Sequence, residues 1–221
     1  MPDDAPAWRR QTTIEPRWPI SLAIAAAIGM QSALPRRDII GPRWVLPALA
    51  AALLVVTIGL DMRGDTTGTG SLRALGLGLV AVLSLANGGS AIRLVVELVN
   101  GHETDPVRIL LTGAAIWSTN VIAFGVWYWE LDRGGPAARA SGHRQWADFL
   151  FAQMANPELA PPDWEPAFVD YLYLSFTNAS AFSPTDVLPL SRWAKLLMLL
   201  QSVVSLVTVV LVVARAVNTL R

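Results

Sequence analysis

Apolar residues run along this chain in long uncharged blocks, broken by short polar segments. A bilayer core takes about 20 apolar residues as helix, with a range of roughly 17–25. Five blocks meet that length: Trp18 to Leu34, Trp44 to Leu60, Leu72 to Val99, Val107 to Trp129 and Leu196 to Ala214. The pattern therefore predicts an all-α membrane protein with five transmembrane helices. The first block lies well inside the chain, between Arg17 and Pro35-Arg36-Arg37, and lacks a clean cleavage site, so it reads as a span and not a signal peptide. The breaks at 35–43, 61–71 and 100–106 are short and rich in Gly, Pro and Asp, which makes consecutive spans antiparallel neighbours.

The stretch from Asp132 to Arg192 differs. It mixes turns with apolar pieces too short to cross a bilayer. Trp146 to Met154 reads as a short interfacial helix anchored by Trp and Phe. Asn156 to Pro166 holds Pro157, Pro161, Pro162 and Pro166 and must be irregular. Phe168 to Asn178 is aromatic and apolar but too short to span, and reads as a re-entrant or interfacial helix.

Composition narrows the function. The chain is 53% apolar and 15% charged, with 17 basic and 17 acidic residues and no cysteine. Thiolate metal sites and disulfides are excluded, and a neutral chain offers no footprint for nucleic acid. The two histidines, His102 and His143, are far apart in loops. No GxSxG, HExxH or phosphate-binding loop occurs, so the reading is not an enzyme, with no cofactor and no metal. All basic residues but Lys195 are arginine, a bias that, with the Ala/Leu/Val-rich spans, fits a bacterial inner-membrane, multi-pass protein.

A span, a long loop, a short non-spanning helix, a polar turn and a final span is the order of a pore-loop channel. Tyr173 to Arg215 resembles the pore half of potassium channels without a gap. Ser175-Phe176 matches their pore-helix Ser-Phe, and Asp186 and Pro189 match the Asp and Pro after the filter. Ala194-Lys195 and Ala214-Arg215 match the two ends of the inner helix, and Gln201 falls on a common Glu. As a whole, the chain also resembles a bacterial integral membrane protein family without an assigned activity, whose recurring segments would be Trp127 to Pro136 and Ser175 to Asp186. The potassium-channel resemblance implies a homotetramer in the lipid bilayer, passing inorganic ions.

The filter departs from that pattern. Thr-Val-Gly-Tyr-Gly is replaced by Ala181-Phe182-Ser183-Pro184-Thr185. Both glycines that line up a carbonyl ladder are lost, and Pro184 fixes its own φ, so a potassium filter is not expected. The candidate pore segment is Thr177, Asn178, Ser180, Ala181, Phe182, Ser183, Pro184, Thr185 and Asp186. Its hydroxyls either face a pore or satisfy their own backbone. Gln201, Ser205 and Thr208 recur at i, i+4 and i+7 as one polar stripe, expected to face a pore, with interhelical hydrogen bonding the rival reading.

Residues 130–189 hold eight acids against three arginines, an acidic bias that would favour cations at an entrance. Glu130 and Asp132 are expected to clamp onto Arg192 or Lys195, beside an interfacial belt of Trp127, Tyr128 and Trp129. Asn87 to Ser90 and Ser118 to Asn120 are expected to serve helix packing. Arginine counts place the long loop inside, whereas the channel resemblance places it outside, and both orientations stay open.

The expected organisation is an N-terminal arm (1–17), a three-span region (18–106) and a pore-loop-like region (107–221). The last divides into outer helix 107–131, loop 132–164, pore helix 165–178, filter-like loop 179–189 and inner helix 190–215. The expected function is an ion channel or channel-like pore with a non-potassium filter, cation-permeable if it conducts. A sealed pseudo-channel serving as a structural subunit and a secondary transporter are the rivals.

Overall fold

The computed structural model describes residues 6–34, 45–62, 69–101, 105–142, 144, 146–181 and 186–219. Phe182 to Thr185, His102 and His143 lie outside them. The fold is nearly all helical. Five main helices are α1 (Trp18–Ala33), α2 (Val45–Met62), α3 (Thr69–Val99), α4 (Pro106–Leu131) and, as numbered below, α8 (Arg192–Thr219). Between α4 and α8 come α5 (Pro136–Ala140), strand β1 (Phe149–Leu150), α6 (Ala152–Ala155), α7 (Phe168–Ala181) and strand β2 (Leu188–Pro189). Among the described residues, three helices are long and apolar enough to cross a membrane: Gly70–Val99, Pro106–Gly134 and Arg192–Asn218. α1 and α2 are apolar but shorter. The chain is a helical membrane protein.

Local chemistry sets the helix ends. Asp105 precedes Pro106 and accepts from the amides of Val107 and Arg108 at 3.0 and 3.3 Å, capping α4. Ser191 caps α8 through the amide of Ala194 at 3.4 Å. Beyond α4 the chain reverses sharply through Arg133, Gly134 and Gly135, all at positive φ (51°, 85° and 95°). Two glycines make two of those three conformations inexpensive.

α4 is the central helix, packing against α1, α3, α7 and α8. Its contact with α7 is close because Gly125 carries no side chain: a Cβ there would lie 3.2 Å from the Leu172 Cα. α7 starts at the same end of the molecule where α4 finishes, since Tyr171 bonds Asp132. Its last turn lies against α8 at Ser205, whose hydroxyl donates to the Ala179 carbonyl at 2.7 Å. That point is about 20 Å along α8 from Arg192, at 1.5 Å per residue. By Leu188 the chain is back at the loop end, where β2 pairs antiparallel with β1, Leu150 opposite Leu188 and Phe149 opposite Pro189.

Two local expectations change. The stretch 146–154 is not one helix. Pairing with β2 draws Phe149 and Leu150 into a strand, and only Ala152–Ala155 is helical. Trp146 is exposed, while Phe149 is wholly buried. It lies edge-on to Tyr128, Trp193 and Tyr171 at centroid distances of 5.2, 5.6 and 6.4 Å. The short helix before the last span runs 168–181 and not 165–178, because Pro166 precedes its first turn and its apolar face continues past Asn178.

Gly125→Ala should push α7 off α4 by a few tenths of an ångström against a backbone that cannot rotate away. The expected loss is about 1–3 kcal/mol, read as a lower unfolding midpoint in detergent. An unchanged midpoint would mean that α7 is loosely held.

Candidate functional site

Two polar cores stand out, one at the loop end and one between α4, α7 and α8. The first is ionic. Asp132 is 0% exposed and Glu130 is 1% exposed. Asp132 accepts from the Tyr171 hydroxyl at 2.6 Å and the Asp148 amide at 3.1 Å, and its Oδ2 lies 3.5 Å from the Arg133 Nε. Asp148 answers by accepting from the Arg133 amide at 2.8 Å and the Trp193 indole at 2.8 Å. Arg133 also donates to the Trp8 carbonyl. Arg139 donates to the carbonyls of Trp129 and Asp132 at 2.5 and 3.2 Å. Burial holds the Tyr171 hydroxyl well above the usual tyrosine range, so it stays a donor to Asp132.

Glu130 pairs with Arg17 at 3.4 Å and lies across Gly76 of α3, where any side chain would collide with its carboxylate. The guanidinium groups of Arg17 and Arg139 lie over Trp129 at 5.3 and 5.4 Å. Glu15, from the N-terminal arm, accepts from the Trp129 indole at 2.6 Å and the Phe168 amide at 2.8 Å. The core thus gathers Arg17, Arg133 and Arg139 against Glu15, Glu130, Asp132 and Asp148. Buried charges persist only when paired in this way.

This overturns the expected clamp. Glu130 and Asp132 turn inward to arginines of the N-terminal arm and the loop, while Arg192 and Lys195 are exposed. It also overturns the belt, since Tyr128 and Trp129 are fully buried and the Trp127 indole donates to Ser84 at 2.9 Å. The acidic loop is less acidic than its composition. Of its eight acids, Glu158, Asp163 and Asp186 are exposed, on an end that also exposes Arg9, Arg10, Arg144, Arg192 and Lys195.

The second core is a hydrogen-bond network centred on Gln201, which is 0% exposed. Its amide donates to the Ser175 carbonyl and hydroxyl at 2.9 and 2.6 Å. Its oxygen accepts from the Tyr128 hydroxyl at 2.6 Å and from Asn178 at 2.9 Å. Asn178 also donates to the Met198 carbonyl at 3.0 Å and accepts from Ser202 at 3.2 Å. Ser175 also donates to the Val121 carbonyl at 2.6 Å, and Ser205 accepts from the Trp117 indole at 2.8 Å.

The stripe of Gln201, Ser205 and Thr208 is therefore buried within one protomer rather than facing an aqueous pore. Packing against α4 and α7 consumes its polar groups, and Thr208 bonds the Val204 carbonyl of its own helix. Thr177 and Ser180 likewise return their hydroxyls to carbonyls of α7, at 3.0 and 2.8 Å. Ala181 ends α7, and Asp186 is exposed beyond it. The remaining filter-like residues, Phe182, Ser183, Pro184 and Thr185, lie outside the described residues.

Further in, Gln31 of α1 donates to Asn87 at 2.7 Å and accepts from Ser90 at 3.3 Å, which are interhelical bonds of the packing kind. The chain matches no family model, no curated protein and no solved structure.

Sequence reasoning missed Glu15, Arg17, Arg133, Arg139 and Asp148 as members of one cluster. The available signal was the Asp-Arg-Gly-Gly run at 132–135, whose paired glycines permit the turn that carries Arg133 inward.

Asp132→Ala should leave Arg133 and Tyr171 buried without their partner and cost about 3–5 kcal/mol. Tyr171→Phe should cost about 1–3 kcal/mol. Unfolding in detergent measures both, and an Asp132→Ala protein as stable as its parent would mean that the carboxylate is solvated.

Proposed function

We propose that the protein is a channel-like membrane pore assembled from several copies, with α4 as outer helix, α7 as re-entrant helix and α8 as inner helix. The observation that carries this reading is the course of α7. It enters from the loop end, stops beside Ser205 about 20 Å along α8, and the chain is back at the loop end by Leu188. Such a half-length helix is tolerated at membrane depth only when it is buried in protein or borders water. Its two flanking helices and its polar contacts to α8 meet that condition. In this reading α1 and α2 also cross the bilayer, giving five spans around the re-entrant helix.

One protomer cannot enclose a pore, so the reading calls for an oligomer, a tetramer by resemblance. α8 leaves Leu199, Val203, Leu206, Val210 and Val213 exposed, which suits packing against neighbouring copies. The same apolar surface favours a second reading, a sealed scaffold with the channel fold. The inward turn of Gln201 and Ser205 supports it, because, among the described residues, every side chain that α8 exposes from Leu196 to Val217 is apolar.

Purified protein in planar bilayers distinguishes the two. Unitary current steps are expected for a pore, whereas an oligomer without current is a scaffold. The chain has no cysteine, so Val203→Cys introduces a single thiol. Cross-linked neighbours are expected through it, and a monomer in mild detergent without cross-links would sink both readings.

A further inference from the structure

The N-terminal arm, residues 6–17, runs over the loop end and is tied down along its length. Arg133 bonds the Trp8 carbonyl. The Thr12 amide donates to the Ala140 carbonyl at 2.9 Å, and its hydroxyl donates to Glu165 at 2.9 Å. Arg17 pairs with Glu130.

Glu15 makes a contact of a different kind. The amide of Phe168, which donates to it, is the first of α7. The start of a helix leaves four amides without intrahelical acceptors. A Ser, Thr, Asp or Asn at the cap position normally supplies one acceptor. α7 has Ala167 there, which has no acceptor to give. Asp170 reaches back to the Ala167 amide at 2.8 Å, so one half of a capping box is present. Glu15, 153 residues away, supplies a side-chain acceptor for a different first-turn amide, that of Phe168. Its negative charge also sits at the positive end of the α7 dipole. The second oxygen of the same carboxylate holds the Trp129 indole near the end of α4. One side chain of the arm therefore grips the finish of α4 and the start of α7.

We propose that Glu15 is a positioning residue for α7, and that the arm is a strap whose docking through Glu15 sets where α7 starts against α4. What α7 does in a pore rests on the reading given under Proposed function, but its dependence on the arm does not.

Hydrogen exchange on the full chain in lipid nanodiscs tests this. Glu15→Ala should speed exchange of the first-turn amides of α7 about tenfold, the size of one lost cap, and leave α8 unchanged. Glu15→Gln keeps an oxygen for the Phe168 amide and should restore most of the protection. Should the Ala variant fail to fold, Thr12→Val serves, because it loosens the arm without touching an α7 amide and should accelerate the same amides. Equal α7 exchange in parent and variants would overturn the proposal, as would acceleration spread evenly over α8. Planar-bilayer recordings of the same proteins separate the two readings: changed open times in Glu15→Ala support both. Silence in every protein alongside faster α7 exchange strikes only the pore.

Discussion

The buried carboxylate of Asp132 is the point on which the loop end depends. It receives a hydroxyl from α7, an amide from the segment leading into β1, and the neighbouring guanidinium of Arg133. Taking a carboxylate out of water costs several kcal/mol, and the cost is offset only by a well-placed opposite charge and by hydrogen bonds to its oxygens. That condition explains the sharp turn that follows. Three successive residues at positive φ bring Arg133 back under Trp8 and let the Asp132 carbonyl accept from both the Gly135 amide and Arg139. The arm, the end of α4, β1 and the start of α7 are thereby fixed to one charge cluster and not to one another in sequence.

The two polar cores work differently because their surroundings differ. The ionic core lies under the N-terminal arm and the loop that follows α4, where aromatic rings screen it from water and arginines stack on them. The Gln201 core uses only neutral groups. Neutral hydrogen bonds between helices in a membrane contribute modestly, about 0.6–2 kcal/mol each. They are directional all the same, and the Gln201 amide meets α7 and α4 at once. It fixes the rotation of α7, while the ionic core fixes its start.

Much of the helical layout was legible in the sequence, because uncharged runs of membrane length have few other uses. α7 was legible as a helix too short to span, apart from a three-residue shift set by Pro166. The partners of Glu130 and Asp132 were not. Aromatic and charged residues at a helix end look the same whether they sit in a lipid interface or under an arm that folds over them. Only long-range packing tells the two apart, and Arg17 is 113 residues from Glu130. The stripe of Gln201, Ser205 and Thr208 was legible as a stripe. Its direction was not, because helical spacing says which residues share a face and nothing about which neighbour that face meets. Glu15 gave no local signal at all, since a cap supplied from another part of the chain leaves no spacing to read.

The helices differ in length by nearly a factor of two. At 1.5 Å per residue, α1 is about 24 Å long and α3 about 46 Å. A hydrocarbon layer of about 30 Å fits neither. Where α1 borders lipid in the five-span arrangement, the layer must thin towards it, while α3 must tilt or stand clear of the surface. The protein would then sit in a membrane of uneven thickness around its own circumference. Lipids with short or unsaturated chains would gather on the α1 side, and a bilayer made uniformly thick would strain the loop end through the Arg17–Glu130 pair, which ties the residue just before α1 to α4.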